Sequence, residues 1–417
     1  MYRKERLNNG ITVVMEQIPF VRSVSFGVWI RNGSRNEGAP VNGISHFIEH
    51  MLFKGTERRS TLQIADEMDA IGGQLNAYTT KEYMCCYARS LDTHFGVALD
   101  IISDMVMHPK FDDAEINKER NVILEEILMT EDSPEDLLHD LLEASVYKGS
   151  DLALPVLGDK KFVSAVDRGA FSDYYGKHYR PDNTVVALAG NFEPDAALEE
   201  IRKAFDGFAR AGDYVRPEFS AVYRPGVAAK EKDIEQVHVS IGFPSIKMGT
   251  DDSYPLTILN TVFGGGMSSR LFQTIREENG LSYSIYSYNS SFADCGLYSI
   301  YAALAYNQVE RAVEMILGEI KRLFTERVSD ETLLKTKEQI KSNYVLSLEN
   351  SASRMSAMGR SELMLGKILP PEELLNKIDA VDLKLFYEVA ERLFAPDMMS
   401  VAAVGGISRD ALTRYRL

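Results

Sequence analysis

A pattern that returns at one constant spacing constrains this chain more than any other feature. Val24-Ser25-x-Gly27 comes back 215 residues later as Val239-Ser240-x-Gly242. Pro181-Asp182, Val186-Ala187, Gly190 and Asp195-Ala196 come back at the same spacing as Pro396-Asp397, Val401-Ala402, Gly405 and Asp410-Ala411. Two distant blocks sharing one offset point to a duplicated domain. A chain of 417 residues with 45% apolar content is also too long for a single core. The expected organisation is a first domain at 1–210, a polar, Gly- and Pro-bearing linker at 211–230, and a duplicated domain at 231–417.

Within the first half, 11–15 and 23–30 read as strands, the former after an Asn-Asn-Gly turn. A helix over 61–71 starts at Ser-Thr and stops at Gly72-Gly73. Strands are expected at 74–79 and 83–90 and a helix at 94–108, stopping before Pro109. A long helix follows from 113 to 129, expected to continue past Pro134 towards Tyr147. A Val- and Ala-rich strand at 183–192 precedes an amphipathic helix at 195–208. The class is α+β, with a sheet on one side and helices on the other.

Between the strand at 23–30 and the helix at 61–71 lies Gly43-Ile44-Ser45-His46-Phe47-Ile48-Glu49-His50-Met51-Leu52-Phe53-Lys54. On an α-helix, residues 46, 49 and 50 stand at i, i+3 and i+4 and share one face. Two imidazoles one turn apart can hold one metal ion, and the carboxylate between them can take a proton from a nearby water. Phe47, Ile48, Met51, Leu52 and Phe53 make this helix apolar nearly all round. A polar triplet in such a helix needs a partner, which a metal supplies; ordinary hydrogen bonding is the alternative. At the 215-residue offset, His46, Glu49 and His50 fall on Thr261, Gly264 and Gly265. The second half therefore carries no such set.

A third ligand is available in Glu119, Glu125 or Glu126, all on the helix from 113. Glu119 and Glu126 are two turns apart on one face, and Glu125 lies about 100° round from Glu126. Spacing alone leaves Glu125 and Glu126 both open, and an acidic surface helix is the plain alternative for each.

The whole chain bounds the setting. The formal charge of −15 argues against nucleic acid and suits a cationic or neutral substrate. Gly264-Gly265-Gly266 is no phosphate loop, since no Lys-Ser/Thr follows. Cys85 and Cys86 are adjacent and Cys295 is single, which fits a reducing cytoplasm. Charged residues come early, at Arg3-Lys4-Glu5-Arg6, and no run approaches the roughly eighteen apolar residues of a membrane span. A cytoplasmic protein without membrane contact is expected.

Taken together, the opening strands, 43–56, 72–80, 119–126 and the repeated blocks of the second half resemble the pitrilysin-type inverzincins. In size the chain is most similar to the branch containing the mitochondrial processing peptidase β-subunit and its bacterial relatives. That family carries a Glu 76 residues after the second His and another acidic residue seven before it, which here are Glu126 and Glu119. The resemblance implies one Zn2+ per chain on His46, His50 and Glu126, with Glu49 as general base and Glu119 supporting a ligand from behind. It implies that Leu75-Asn76-Ala77-Tyr78 is an exposed edge strand that takes a peptide in extended form. It also implies that Arg276 holds a substrate carbonyl and that Tyr283 donates to the developing oxyanion. The implied activity is zinc-dependent endopeptidase cleavage inside a closed chamber. Each chain would be a bowl-shaped half of a clamshell, paired as a homodimer or with an inactive homologue. A non-catalytic scaffold is the competing role within the same family.

Overall fold

The computed structural model describes residues 2–209, 212 and 217–415. Two sheets organise them. The first has six strands: β1 (Arg3–Arg6), β2 (Thr12–Gln17), β3 (Ser23–Ile30), β4 (Gln74–Thr79), β5 (Met84–Leu91) and β6 (Thr184–Gly190). Their spatial order is β1-β2-β6-β3-β5-β4. The second has five: β7 (Val227–Glu231), β8 (Gln236–Ser245), β9 (Ser282–Ser291), β10 (Gly296–Ala305) and β11 (Ser400–Gly405), in the order β7-β11-β8-β10-β9. β2 pairs with β6, and β7 with β11, in parallel; every other neighbour is antiparallel. Apart from β1, the two sheets are the same sheet built twice, as the repeated blocks imply.

Among the described residues eight α-helices belong to the first half of the sequence: α1 (Ile44–Leu52), α2 (Thr61–Ala70), α3 (Phe95–Met107), α4 (Asp113–Asp132), α5 (Pro134–Val146), α6 (Lys160–Ala165), α7 (Arg168–His178) and α8 (Pro194–Ala204). The second half supplies α9 (Ser253–Phe263), α10 (Val309–Thr325), α11 (Asp330–Ser347), α12 (Ser351–Leu365), α13 (Pro371–Asp379), α14 (Leu383–Leu393) and α15 (Arg409–Leu412). α2 begins where sequence places it: Ser60 accepts from the Gln63 backbone N–H and Gln63 answers the Ser60 N–H.

One expectation is corrected. The long helix does not run through Pro134 to Tyr147. It ends at Asp132, and Ser133 caps a separate helix whose first residue is Pro134. Proline has no N–H to lose at that position, whereas inside a helix its ring would clash with the preceding turn.

The chain divides into two compact units of interleaved segments, with the first boundary inside α4 rather than at this break. One compact unit gathers Met1–Ile127, Leu154–Glu218 and Val345–Pro370; the other gathers Leu128–Ala153, Phe219–Tyr344 and Pro371–Leu417. α12, from the second half of the sequence, packs on β3 and β6, while α5, from the first half, packs on β11 and β8. Of the expected linker at 211–230, residues 211 and 213–216 lie outside the described residues, and its end forms β7.

In the first unit, α1, α3 and α7 bury Phe47, Ile48, Leu52, Ile101, Ile102 and Phe171 against Phe26, Val28 and Met84 of the sheet. At roughly 1.5–3 kcal/mol for each large side chain buried, this core holds α1 as a fixed platform. Among the described residues no helix is long and apolar enough to cross a membrane.

Candidate metal centre

The start of α1 is fixed by close backbone contact. Gly43 has φ +106°, and a Cβ there would lie 2.8 Å from the Cα of Gly158, so the chain entering α6 can cross only a glycine at this point. Behind the first turn, Ser45, Asn32 and Tyr174 form a closed triangle of buried hydrogen bonds, each 3.1 Å. The Phe47 ring meets Phe171 edge-on at 4.8 Å. These contacts leave α1 one face, carrying His46, Glu49 and His50, turned towards α4.

On that face His50 Nδ1 lies 3.0 Å from Glu119 Oε2, and Lys54 Nζ lies 2.6 Å from Glu119 Oε1. An ionised carboxylate only accepts, so Nδ1–H donates and the Nε2 lone pair of His50 is left facing outward. That Nε2 is 3.5 Å from Glu126 Oε2, and His46 Nε2 is 3.7 Å from the same oxygen. Both are too long for hydrogen bonds. They fit the edges of a tetrahedron, since ligand atoms at about 2.0–2.2 Å from one metal stand roughly 3.4 Å apart. All three donor atoms fall within 4.8 Å of one another, and no other set of three or more His, Cys, Asp or Glu among the described residues does so.

The electrostatics suit a cation. Burial, with His50 adding to it, lowers the His46 pKa to about 3, so its imidazole is neutral, the form that ligates metal. His46 Nδ1 is buried without a partner. Glu49, one turn along α1, has Oε2 buried and unpartnered as well. Burial raises the Glu49 carboxyl, an effect that neighbouring Thr79 and His50 oppose and Glu126 reinforces. A partly buried oxygen-and-nitrogen donor set beside a desolvated carboxylate suits a divalent ion and a proton transfer. Glu125 is exposed and lies outside the group.

β4 is the open edge of the first sheet, and α1 packs beside it. Ala77 is buried, Leu75 and Tyr78 are half-buried and Asn76 is exposed. The Ala77 N–H donates to Asn76 Oδ1 at 2.8 Å. In the other unit, Arg276 Nη1 donates to the Tyr283 carbonyl at 3.0 Å, and its guanidinium stacks on the Tyr283 ring at 4.3 Å. Tyr283 is 80% exposed. These two therefore form one surface pair.

The second sheet lacks a counterpart of the metal set. Gly27 faces Tyr87 in the first sheet and Gly242 faces Ser299 in the second, so the connection between these strands is three residues shorter in the second half. The positions matching His46, Glu49 and His50 are Thr261, Gly264 and Gly265, or three earlier, Ile258, Thr261 and Val262. Neither triplet could hold a metal through its side chains.

Two family models match the chain: the insulinase peptidase family M16 over residues 12–160, and the peptidase M16 inactive domain over 165–340. An uncharacterized zinc protease of Bacillus subtilis is 41% identical over 400 residues, covering 95% of this chain and 97% of that protein. One from Streptomyces coelicolor is 38% identical over 386 residues, covering 91% and 84%. A protease from Helicobacter pylori has the same fold, with a TM-score of 0.93 at 19% identity over 97% of this chain and 99% of that one. A peptidase M16 inactive domain from Pseudomonas fluorescens superposes with a TM-score of 0.90 at 18% identity, covering 98% of each. The chain belongs to the insulinase family of peptidases, M16.

Two contributors escape a reading of sequence alone. Lys54 lies four residues after His50, a spacing that puts it over the same face. Glu37, whose carboxylate accepts from the Gly43 and Ser45 N–H groups at the start of α1, gives no such signal, because a carboxylate in a polar loop looks like any solvated charge.

Proposed function

We propose that this chain is a zinc-dependent endopeptidase that cuts peptides lying extended along β4. The convergence of His46 Nε2, His50 Nε2 and Glu126 Oε2 beside the unpartnered Oε2 of Glu49 carries this reading. The zinc proteases among its relatives support the choice of metal. One Zn2+ bound by His46, His50 and Glu126 would supply the Lewis acid that polarises the scissile carbonyl and acidifies water. Glu49 accepts the proton of the attacking water and returns it to the leaving amine, which its desolvated position favours. Glu119 holds His50 in the tautomer that presents Nε2, and Lys54 holds Glu119.

Backbone groups on the free side of β4 would add the substrate as a further strand, giving selectivity for extended segments more than for one sequence. Arg276 and Tyr283 would contact a substrate carbonyl and the oxyanion in a chamber closed by a second copy of the chain. The buried or half-buried free thiols of Cys85, Cys86 and Cys295 suit a cytoplasmic setting. The test is mass spectrometry of products from a degenerate peptide library, run with zinc-loaded and metal-stripped protein. Absence of metal-dependent cleavage across the library would refute the activity.

A further inference from the structure

One short loop touches both parts of this site. Gly33–Glu37 leaves β3 and turns back before α1. Its Ser34 N–H donates to the Thr80 carbonyl at 3.1 Å and its Arg35 N–H to the Lys81 carbonyl at 2.8 Å. Thr80 and Lys81 lie in the turn joining the edge strand β4 to β5. The loop runs so close to this turn that a Cβ on Gly33 would stand 2.3 Å from the Thr80 oxygen. The Arg35 guanidinium, fully buried, completes the clamp with an ion pair to Glu82 at 2.8 Å.

The other end of the loop holds the metal helix. Glu37 Oε2 accepts from the Gly43 N–H at 2.7 Å and from Asn42 Nδ2 at 2.9 Å; Oε1 accepts from the Ser45 N–H at 2.8 Å. The first N–H groups of a helix have no partner within it, and a carboxylate there also meets the positive end of the helix dipole. Glu37 is 7% exposed, so these bonds are made away from water, where a missing acceptor is costly. Ser45 immediately precedes His46.

We propose that Glu37 is a positioning residue: through Gly43 and Ser45 it fixes the axial setting of α1, and through the Gly33–Glu37 loop it ties that setting to the β4–β5 turn. His46, Glu49 and His50 then stand at one distance from the strand edge that takes the substrate. Thr79, the last residue of β4, already lies close enough to Glu49 to influence its carboxyl. A strut shared by helix and edge strand resolves into two arms with separable effects. The Glu37 arm acts on the reacting groups, and the Arg35–Glu82 arm acts on the strand that binds peptide. The kinetic part of this inference rests on the peptidase reading; the metal part does not.

Glu37→Gln is the probe, because an amide offers one acceptor and presents its NH2 to a backbone N–H at the other position. Three quantities are read on the zinc-loaded protein: zinc affinity by chelator competition, and kcat and KM on a fluorogenic peptide cut by the wild type. Far-UV circular dichroism checks the fold, and Glu37→Asp replaces Glu37→Gln should the latter not fold. The expected result is zinc binding weaker by about 10-fold, as for residues that orient ligands from behind. kcat should fall at least about 10-fold, because sub-ångström displacement of reacting groups is expensive. KM should stay within about 3-fold. Glu82→Gln should give the opposite split, with KM raised several-fold and kcat nearly kept. Wild-type zinc affinity and kcat in Glu37→Gln would overturn the proposal, as would an identical kcat and KM pattern in both variants. Should the wild type cleave no peptide, the peptidase reading fails, and the zinc affinity of Glu37→Gln alone decides the role of Glu37.

Discussion

His50 donates its Nδ1–H to Glu119 across 3.0 Å, so the tautomer that turns Nε2 towards His46 and Glu126 is set by a residue outside that donor group. Lys54, 2.6 Å from the other Glu119 oxygen, keeps that carboxylate in place. Glu119→Ala removes the acceptor and leaves Lys54 facing a half-buried ring. Zinc affinity is expected to fall about 10- to 100-fold, with Glu119→Gln milder because it keeps one acceptor. Chelator competition measures both; equal affinity in wild type and Glu119→Ala would remove Glu119 from the site.

Removing one of the three candidate donors should give a sharper result. His50→Ala or Glu126→Gln leaves two donors of three, and purified protein should carry well under one zinc per chain by elemental analysis. Glu125→Gln should keep its zinc, since Glu125 is exposed and outside the donor group. A loss in Glu125→Gln equal to that in Glu126→Gln would mean the wrong carboxylate carries the assignment.

How much of this was legible in the sequence depends on whether a feature is local. β3 begins and ends at the residues its apolar run marks, and the Ser60 start of α2 is written in the Ser-x-x-Gln capping pattern. The face shared by His46, Glu49 and His50 follows from helical spacing alone. β1 is missed because Arg3–Arg6 are all charged; only pairing with β2 makes them a strand. The break at Ser133 was readable, since Ser then Pro is a helix start, but the apolar periodicity of α5 continues that of α4 and masks it. The packing of α5 on β11 and of α12 on β3 has no signature in sequence, because an apolar stripe states that a helix is buried and not against what. Glu37 is invisible in the same way: two of its three partners are backbone N–H groups, which every neighbouring residue carries.

Glu49→Gln should keep the shape of the site and its zinc while being unable to take a proton. Peptide cleavage is expected to slow at least about 100-fold, with zinc content and peptide affinity held. Steady-state kinetics beside elemental analysis checks this, and near-normal turnover would exclude Glu49 as the base.

Burial pushes the Glu37 carboxyl up to about 7 against an ordinary 4.5, despite the three N–H groups that lower it. Tyr179 senses its charge, but that phenol titrates far above this range. The folded state thus holds the Glu37 proton more tightly than the unfolded chain does. Its contribution to stability is full below about pH 4.5 and is lost as pH rises through 7. Glu37→Gln has no such loss, so its melting temperature relative to wild type should rise between pH 5 and pH 8. The differential is at most about 3 kcal/mol. A difference that is flat across this range would show that the carboxyl titrates normally.

Arg276 and Tyr283 sit together on β9 and the helical turn before it, with Tyr283 80% exposed and its ring under the guanidinium. An exposed phenol stacked beneath a cation is a donor available to a group outside its own unit. In a homodimer closed by a two-fold axis, each chain's pair would serve the metal centre of its partner. Glu49→Gln and Tyr283→Phe chains should then each be weak alone. Mixed and allowed to exchange, they form heterodimers in which one site is doubly damaged and the other intact. At equal mixing and random pairing, about a quarter of wild-type sites return. Activity on the fluorogenic peptide, measured beside a tagged-subunit assay for exchange, reads this directly. Exchange without recovered activity would mean that Tyr283 acts within its own chain or has no part in the chemistry.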